Sequence, residues 1–164
     1  RHLGATVIGV VSKQASVEKA LTSGCDEVLV FDADNLASEV SRFTRGRMVD
    51  VVYDPIGRAS FQTSLDSLRP RGLMVSFGAS SGAPSAVELS TLNAKGSLFL
   101  TRPSLAAHTA SACEYQERAQ DVLAAVGAGI IKPRIWASYA LKDAAQAHTA
   151  LESGQSSGAI ILKP

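Results

Sequence analysis

The sequence has few of the features that mark secreted, metal-binding or membrane proteins. Only two cysteines occur in 164 residues, Cys25 and Cys113, far apart and away from any group of histidines. Such sparse cysteine use favours neither a disulfide framework nor a zinc site, so we expect no bound metal and a reducing, cytoplasmic setting. No apolar run approaches the roughly 20 residues that cross a bilayer, and the first residues lack the pattern of a leader.

The charges are nearly balanced, with 16 Lys and Arg residues against 15 Asp and Glu residues and a net charge of +1. A chain without a broad field of one sign is not expected to bind nucleic acid or a membrane surface. Apolar residues make up 46% of the sequence, which is enough for a hydrophobic core in a chain of this length. We therefore expect one domain over residues 1–164.

Apolar runs alternate with segments of helical spacing along most of the chain. The runs predict strands, and the segments between and after them predict helices. Because buried strands joined by helices form parallel sheets, this alternation predicts an α/β doubly wound fold. The strands are predicted at residues 5–11, 27–31, 49–53, 72–77, 97–101, 135–141 and 159–162, and the helices at 16–23, 35–44, 58–68, 112–126 and 142–153, the last ended by Gly154.

In such a fold the ligand lies beyond the carboxyl ends of the strands, so the residues directly after each strand are candidates for cofactor contacts. Ser12 and Lys13 follow the first strand, and a small polar donor beside a cation favours a 2′-phosphate over free ribose hydroxyls. The alternative is a solvated lysine and a serine that caps a helix. Phe31 ends the second strand as a candidate for the adenine pocket or, more simply, as a core residue.

The third and fourth strands run into turns of small residues. Ile56 and Gly57 follow the third strand in the sequence DPIG, and Phe77, Gly78 and Ala79 follow the fourth strand. A glycine directly after a strand lets the main chain approach a ligand closely, and small residues around one aromatic suit a flat ring. These five residues are candidates for cofactor contacts, although an ordinary exit from a strand has a similar sequence.

No residue is assigned as a catalytic acid or base. Asp54 has no partner carboxylate in the sequence, and we interpret it as a structural residue that binds the backbone N–H groups of its own turn. His2, His108 and His148 are isolated from one another. The arginines of RPRG at 69–72 are predicted to cap a helix and lead into the fourth strand.

A specific resemblance is carried by residues 51–105, which include RGLMVSFG at 71–78 and KGSLFLTRPSL at 95–105. These contiguous segments resemble bacterial NADPH:quinone oxidoreductases of the zeta-crystallin type, which are zinc-independent, alcohol dehydrogenase-like members of the medium-chain dehydrogenases and reductases. LGATVIGVVS at 3–12 and LKDAAQAHTALESGQSSGAIIL at 141–162 show weaker similarity. Essentially the whole chain is covered.

The resemblance implies a Rossmann-like fold and NADPH-dependent hydride transfer to quinones or electrophilic alkenes, without zinc. By position it places the 2′-phosphate at Ser12 and its neighbours, and Phe31 where the family has a tyrosine beside adenine. Ile56 and Gly57 fall near the adenosine, and residues 77–79 fall on the nicotinamide side.

Three positions depart from the family pattern. Ser16 stands where the family commonly has a lysine for the 2′-phosphate, and Lys13 is the available substitute. Phe31 lacks the tyrosine hydroxyl, and Gly154 replaces an arginine. Each departure removes a possible contact with the cofactor.

The resemblance further implies a longer protein, in which a catalytic domain, the first strand and a glycine-rich turn for the diphosphate come before Arg1. The RHLGA start also reads as the end of a helix, closed by a left-handed Gly4. We therefore expect a truncated fold in which residues 135–164 return towards the catalytic domain, with at most weak cofactor binding and no turnover by this chain alone. In the strand order 3-2-1-4-5-6 the absent strand is central, which predicts two unpaired inner edges.

At the other side of the sheet, residues 97–101 are predicted to form an edge strand with an apolar face. Relatives pair this strand across a two-fold axis, so we expect a homodimer. Two other functions stay open: a non-catalytic dimerisation or scaffold module with the same fold, and a sister activity, either enoyl or alkenal reduction or zinc-dependent alcohol dehydrogenation. A catalytic domain and a glycine-rich turn encoded upstream of Arg1 would favour an enzyme, and a start codon there would favour the scaffold.

Overall fold

The computed structural model describes residues 1–154 and 156–164, which form two compact units, Arg1–His108 and Thr109–Pro164. Each unit has its own sheets and helices. The single domain expected over residues 1–164 stays a prediction.

Strands and helices alternate in the first unit, as predicted. The strands are β1 Ile8–Val11, β2 Glu27–Val30, β3 Val49–Asp54, β4 Leu68–Ser76 and β5 Phe99–Thr101. The helices are α1 Val17–Thr22, α2 Leu36–Phe43, α3 Phe61–Asp66, α4 Leu89–Ala94 and α5 Leu105–His108, and a 3-10 turn at Gln14–Ser16 precedes α1. Helices α4 and α5 are not predicted; α5 has four residues, too few to show helical periodicity.

All strand pairs of the first unit are parallel, which confirms the predicted α/β architecture. The strands form two sheets, β1–β2 and β3–β4–β5, with β4 in the middle of the second. Among the described residues β1 pairs only with β2 and β3 pairs only with β4, so each keeps one edge without a strand partner. This break corresponds to the two inner edges that the strand order predicts.

The prediction for the RPRG segment is wrong in one respect. Helix α3 already ends at Asp66, and the arginines lie inside β4 rather than at a helix cap. Val49 pairs with Leu68 but Val51 pairs with Leu73, so β4 bulges between these two pairs. Pro70 has no N–H to donate and Arg71 has a positive φ of 61°, and both properties fit a bulge.

Two groups of buried apolar residues form the core of the first unit. One contains Leu65, Leu68, Met74 and Leu98 under β3, β4 and α3, and the other contains Leu29, Leu36 and Val40 under β2 and α2. Val49 packs against both groups. The two sheets of the unit therefore share a continuous apolar contact at the start of β3.

The second unit contains α6 Ala112–Gly127, β6 Ile135–Ala140, a 3-10 turn at Leu141–Asp143, α7 Ala144–Glu152 and β7 Ala159–Lys163. Strands β6 and β7 are parallel neighbours. Helix α7 ends shortly before Gly154, as predicted, and that glycine has a φ of 68°. Ser111 caps α6, because its Oγ accepts from the Glu114 N–H at 3.5 Å. Within the described ranges, no helix has the length and apolarity needed to cross a membrane.

Candidate functional site

The candidate residues lie in two groups, each at the carboxyl end of one sheet. Asp54 pairs with Ser76 at the end of β3 and β4, so the turns that follow these strands lie side by side. This pairing brings together five of the predicted site residues: Ile56, Gly57, Phe77, Gly78 and Ala79. Val11 pairs with Val30 at the end of β1 and β2, which places Ser12, Lys13 and Phe31 in the second group.

The turns after β3 and β4 touch through their main chains at two glycines. A Cβ on Gly78 would lie 2.3 Å from the Pro55 carbonyl oxygen, and a Cβ on Gly57 would lie 2.5 Å from the Gly82 carbonyl oxygen. Gly57 also has a φ of 88°, which side chains rarely tolerate. Both positions therefore require glycine, and the reason is contact between the turns.

Hydrogen bonds join the same two turns. The Ile56 carbonyl accepts from the Ser81 N–H at 2.8 Å and from the Ser81 Oγ at 2.7 Å. The Arg58 N–H donates to the Gly82 carbonyl at 2.9 Å, and the Ala59 N–H donates to the Ser81 Oγ at 3.0 Å. These bonds fix the backbone of one turn relative to the other.

Asp54 anchors the turn after β3, as the sequence predicts. The side chain is 2% exposed, and one carboxylate oxygen accepts from the N–H groups of Ile56 at 2.7 Å and Gly57 at 3.0 Å. The other oxygen accepts from the hydroxyls of Ser60 and Ser64, each at 2.7 Å. Burial acts to raise the pKa of Asp54, but these hydrogen bonds outweigh burial and hold the pKa below its usual value.

The side chains around this anchored turn leave an apolar surface open. Ile56 is 40% exposed and Phe77 is 52% exposed. Both follow strands of the same parallel sheet, where the flat rings of a dinucleotide could lie against them.

The second group differs from the first. Ser12 and Lys13 are exposed, and in the described part of the chain their side chains form no hydrogen bond or ion pair. Lys13, not Ser12, precedes the 3-10 turn as its N-cap, so Ser12 does not have the capping role of the simpler interpretation. Phe31 packs partly against the core of Leu29, Leu36 and Val40, which supports its simpler interpretation as a core residue.

The sequence gives only part of this site. The DPIG turn and the SFGA exit are visible as small residues after strands, whereas the serine partners of Asp54 are not. Ser60 and Ser64 are four residues apart, so on a helix their side chains lie on the same face. That spacing could have indicated that both hydroxyls bind one polar partner. Among the described residues, no group of three or more His, Cys, Asp or Glu side chains could hold a metal ion.

We expect Asp54→Asn to lower the free energy of unfolding by about 1–3 kcal/mol near neutral pH, because buried N–H and hydroxyl donors lose a charged acceptor. Since the folded pKa of Asp54 is lowered, its stabilisation is present above the unfolded pKa of about 3.9 and is lost as the pH falls through the folded value. Urea unfolding between about pH 6 and pH 3 should therefore show the two proteins converging at the acid end. Asp34→Asn, at an exposed position of the neighbouring loop, is the control. A pH-independent difference would contradict the assignment.

We expect Gly78→Ala to lower stability by about 1–3 kcal/mol, because the added Cβ collides with the Pro55 carbonyl and the turns must separate. Gly127→Ala is a matched control at the end of α6, where a Cβ meets no atom within 4 Å. That control should leave stability unchanged or raise it by up to about 1 kcal/mol. Equal effects of the two substitutions in urea unfolding would show that the contact between the turns does not matter.

Comparison with known proteins identifies the family. The family model described as zinc-binding dehydrogenase matches residues 1–127. Escherichia coli quinone oxidoreductase 1 is 41% identical over the whole chain, and a Burkholderia 2-haloacrylate reductase is 39% identical over the whole chain. The solved structure of the E. coli quinone oxidoreductase complexed with NADPH superposes with a TM-score of 0.90 at 40% identity, over 99% of this chain and 51% of that one.

The chain spans about half the length of these relatives, 51% of the E. coli enzyme and 50% of the Burkholderia enzyme. The superposition confirms the predicted Rossmann-like fold, since it extends through nearly all of the described residues. The family model matches 127 residues and the relatives match the full sequence, and both comparisons indicate the same kind of dehydrogenase or reductase. The chain belongs to the zinc-binding dehydrogenase family, and its relatives include quinone oxidoreductases and a 2-haloacrylate reductase.

Proposed function

We propose that this chain is the cofactor-binding part of an NADPH-dependent oxidoreductase that reduces quinones or electrophilic alkenes. The observation that carries the proposal is the pair of joined turns at the ends of β3 and β4, on a chain that superposes on an NADPH-complexed quinone oxidoreductase. The similarity to a 2-haloacrylate reductase supports an activated alkene as a second class of acceptor.

The residues of the first group fit one side of a dinucleotide. Ile56 and Gly57 are proposed to contact the adenosine, and Phe77, Gly78 and Ala79 are proposed to lie beside the nicotinamide. NADPH, when bound, supplies the hydride. The contribution of this chain is to hold the two ends of the cofactor in a fixed relation, and the hydrogen bonds between the turns serve that purpose.

The second group is proposed to select NADPH over NADH. Lys13 and Ser12 are exposed at the end of β1, with donors that no described residue occupies. A 2′-phosphate needs a cation and small hydrogen-bond donors, and an acidic residue at this place would repel it. Lys13 would supply the positive charge that the family's lysine has at the position where this chain has Ser16.

The test is to titrate the chain with 2′-phospho-AMP and with AMP and to measure binding by calorimetry or NMR. We expect 2′-phospho-AMP to bind about tenfold more tightly, since a lysine–phosphate contact is a charge-assisted hydrogen bond. Lys13→Met should abolish the preference without changing AMP affinity. Lys132→Met, in the second unit, is the control and should change neither affinity. Equal binding of the two nucleotides by the unaltered chain would overturn the assignment of Ser12 and Lys13.

Two sister activities and a scaffold role remain as alternatives of different kinds. An enoyl or alkenal reductase would use the same cofactor contacts, so the acceptor and not the nucleotide distinguishes it. A zinc alcohol dehydrogenase would need metal ligands beyond those that the described residues offer. A scaffold would bind neither nucleotide, and the titration above separates it from the enzymes.

We further propose that the chain forms a homodimer through β5 and that it works in the cytoplasm. Strand β5 has β4 on one side and no strand on the other among the described residues, and Phe99 is 62% exposed on it. An open edge with an exposed aromatic suits pairing with a second copy. The free thiols of Cys25 and Cys113 support a reducing compartment.

We expect Phe99→Asp to convert the dimer to a monomer in sedimentation velocity, because a two-fold axis brings the two carboxylates towards each other. Tyr115→Asp on α6 is the control, since Tyr115 is similarly exposed at 57%. Unchanged circular dichroism would show that both variants fold. Retention of the dimer by Phe99→Asp, or its loss in both variants, would argue against β5 as the interface.

A further inference from the structure

A cavity of about 260 Å³ lies on the face of the β3–β4–β5 sheet that α3 covers, and none of the eight cofactor candidates lines it. Its wall is apolar apart from two side chains. The lining residues are Phe61, Ser76, Ala83, Pro84, Val87, Leu100 and Arg102.

Ser76 is the first unusual feature of this wall. The residue is 3% exposed, and its Oγ is the buried side-chain atom that has no hydrogen-bond partner among the described residues. Buried hydroxyls are nearly always paired, because an unpaired one has lost its bonds to water without replacement. The Ser76 Oγ has almost no accessible surface, so it can meet a polar group in the cavity only after turning about the Cα–Cβ bond.

Arg102 is the second feature. Its Nη1 lies 3.4 Å from the Ser76 carbonyl oxygen and 3.5 Å from the Gly78 carbonyl oxygen, at the long limit of hydrogen bonding. Within the described ranges no carboxylate forms an ion pair with it. A guanidinium has five N–H donors in a planar fork, so most of them stay available to an anion.

We propose that this cavity binds a short aliphatic monocarboxylate. The carboxylate pairs with Arg102 and with the Ser76 hydroxyl, which turns about its Cα–Cβ bond to another staggered position to meet it. The hydrocarbon part lies against Phe61, Val87 and Leu100. A phosphate fits less well, because the wall offers one cation and an apolar lining where a dianion needs several donors.

The cavity opens to solvent, so its volume sets how much of a ligand it can cover. At about 30 Å³ per water-sized group, 260 Å³ has room for roughly eight non-hydrogen atoms. Hexanoate has that size, and hexanamide has the same shape without the charge. The pair therefore separates recognition of charge from burial of the chain.

The cavity and the proposed nucleotide site have no lining residue in common, although Arg102 reaches the Gly78 carbonyl, so the proposal is tested with carboxylates and without nucleotide. The experiment is titration of the isotopically labelled 164-residue chain with hexanoate and with hexanamide, followed through the backbone amides of Ala83, Val87 and Leu100. We expect hexanoate to shift these resonances and to bind about tenfold more tightly than hexanamide, because only the carboxylate forms a charge-assisted bond with Arg102.

Three variants complete the test. Arg102→Met should remove the preference for hexanoate, and Arg118→Met on α6 should not. Ser76→Ala should weaken hexanoate by about threefold to tenfold, while the melting temperature without ligand stays the same or rises, since an unpaired buried hydroxyl is removed. Should Arg102→Met fail to fold, Arg102→Gln provides the same comparison. Equal affinity for both ligands, shifts confined to other residues, or a clear fall in melting temperature for Ser76→Ala would overturn the proposal.

Discussion

The Asp54 carboxylate is the interaction on which the candidate site depends. Four donors surround it, two from the backbone of its own turn and two from the serines at the start of α3, and no described cation pairs with it. A buried charge is tolerated only where its hydrogen bonds are complete, so the turn and the start of α3 have little freedom to move apart. With that turn fixed, Ile56 and Gly57 have defined positions, and the turn after β4 has a rigid surface to pack against. Because the two turns are held together by their main chains, the side chains of Ile56 and Phe77 stay exposed.

Much of the fold can be predicted from the sequence, because parallel strands buried on both faces leave continuous apolar runs. The runs at 27–31 and 49–53 match β2 and β3 nearly residue for residue. The bulge in β4 could not be predicted in this way. Its cause is the pairing of Val51 with Leu73, a relation between strands that periodicity within one strand does not contain. Helix α5 escapes prediction because four residues are too few for a helical repeat.

The site is predictable where a local rule applies and unpredictable where two segments meet. Glycine after a strand marks Gly57 and Gly78 as special, yet the sequence suggests approach to a ligand, whereas the structure shows each glycine in contact with the other turn. Phe31 is ambiguous in the sequence because an aromatic at a strand end suits both a core and a base, and it packs partly against the core. Ser76 and Arg102 lie in segments that carry the family resemblance, yet neither is a site candidate from the sequence, because their significance lies in a cavity that α3, β4, β5 and the loop at 83–87 form together.

The contact between Gly57 and the Gly82 carbonyl, with its counterpart between Gly78 and Pro55, also constrains how the sequence can change over evolution. Lengthening either turn by one residue would displace a partner that has no spare volume, so tolerated insertions should come in matched pairs or not at all. Substitutions at the two glycines should be rare alone and rarer together, because each added Cβ meets the main chain of the other turn. Changes of length in one of these two turns are thus coupled to changes in the other, although the turns are about 20 residues apart in the chain.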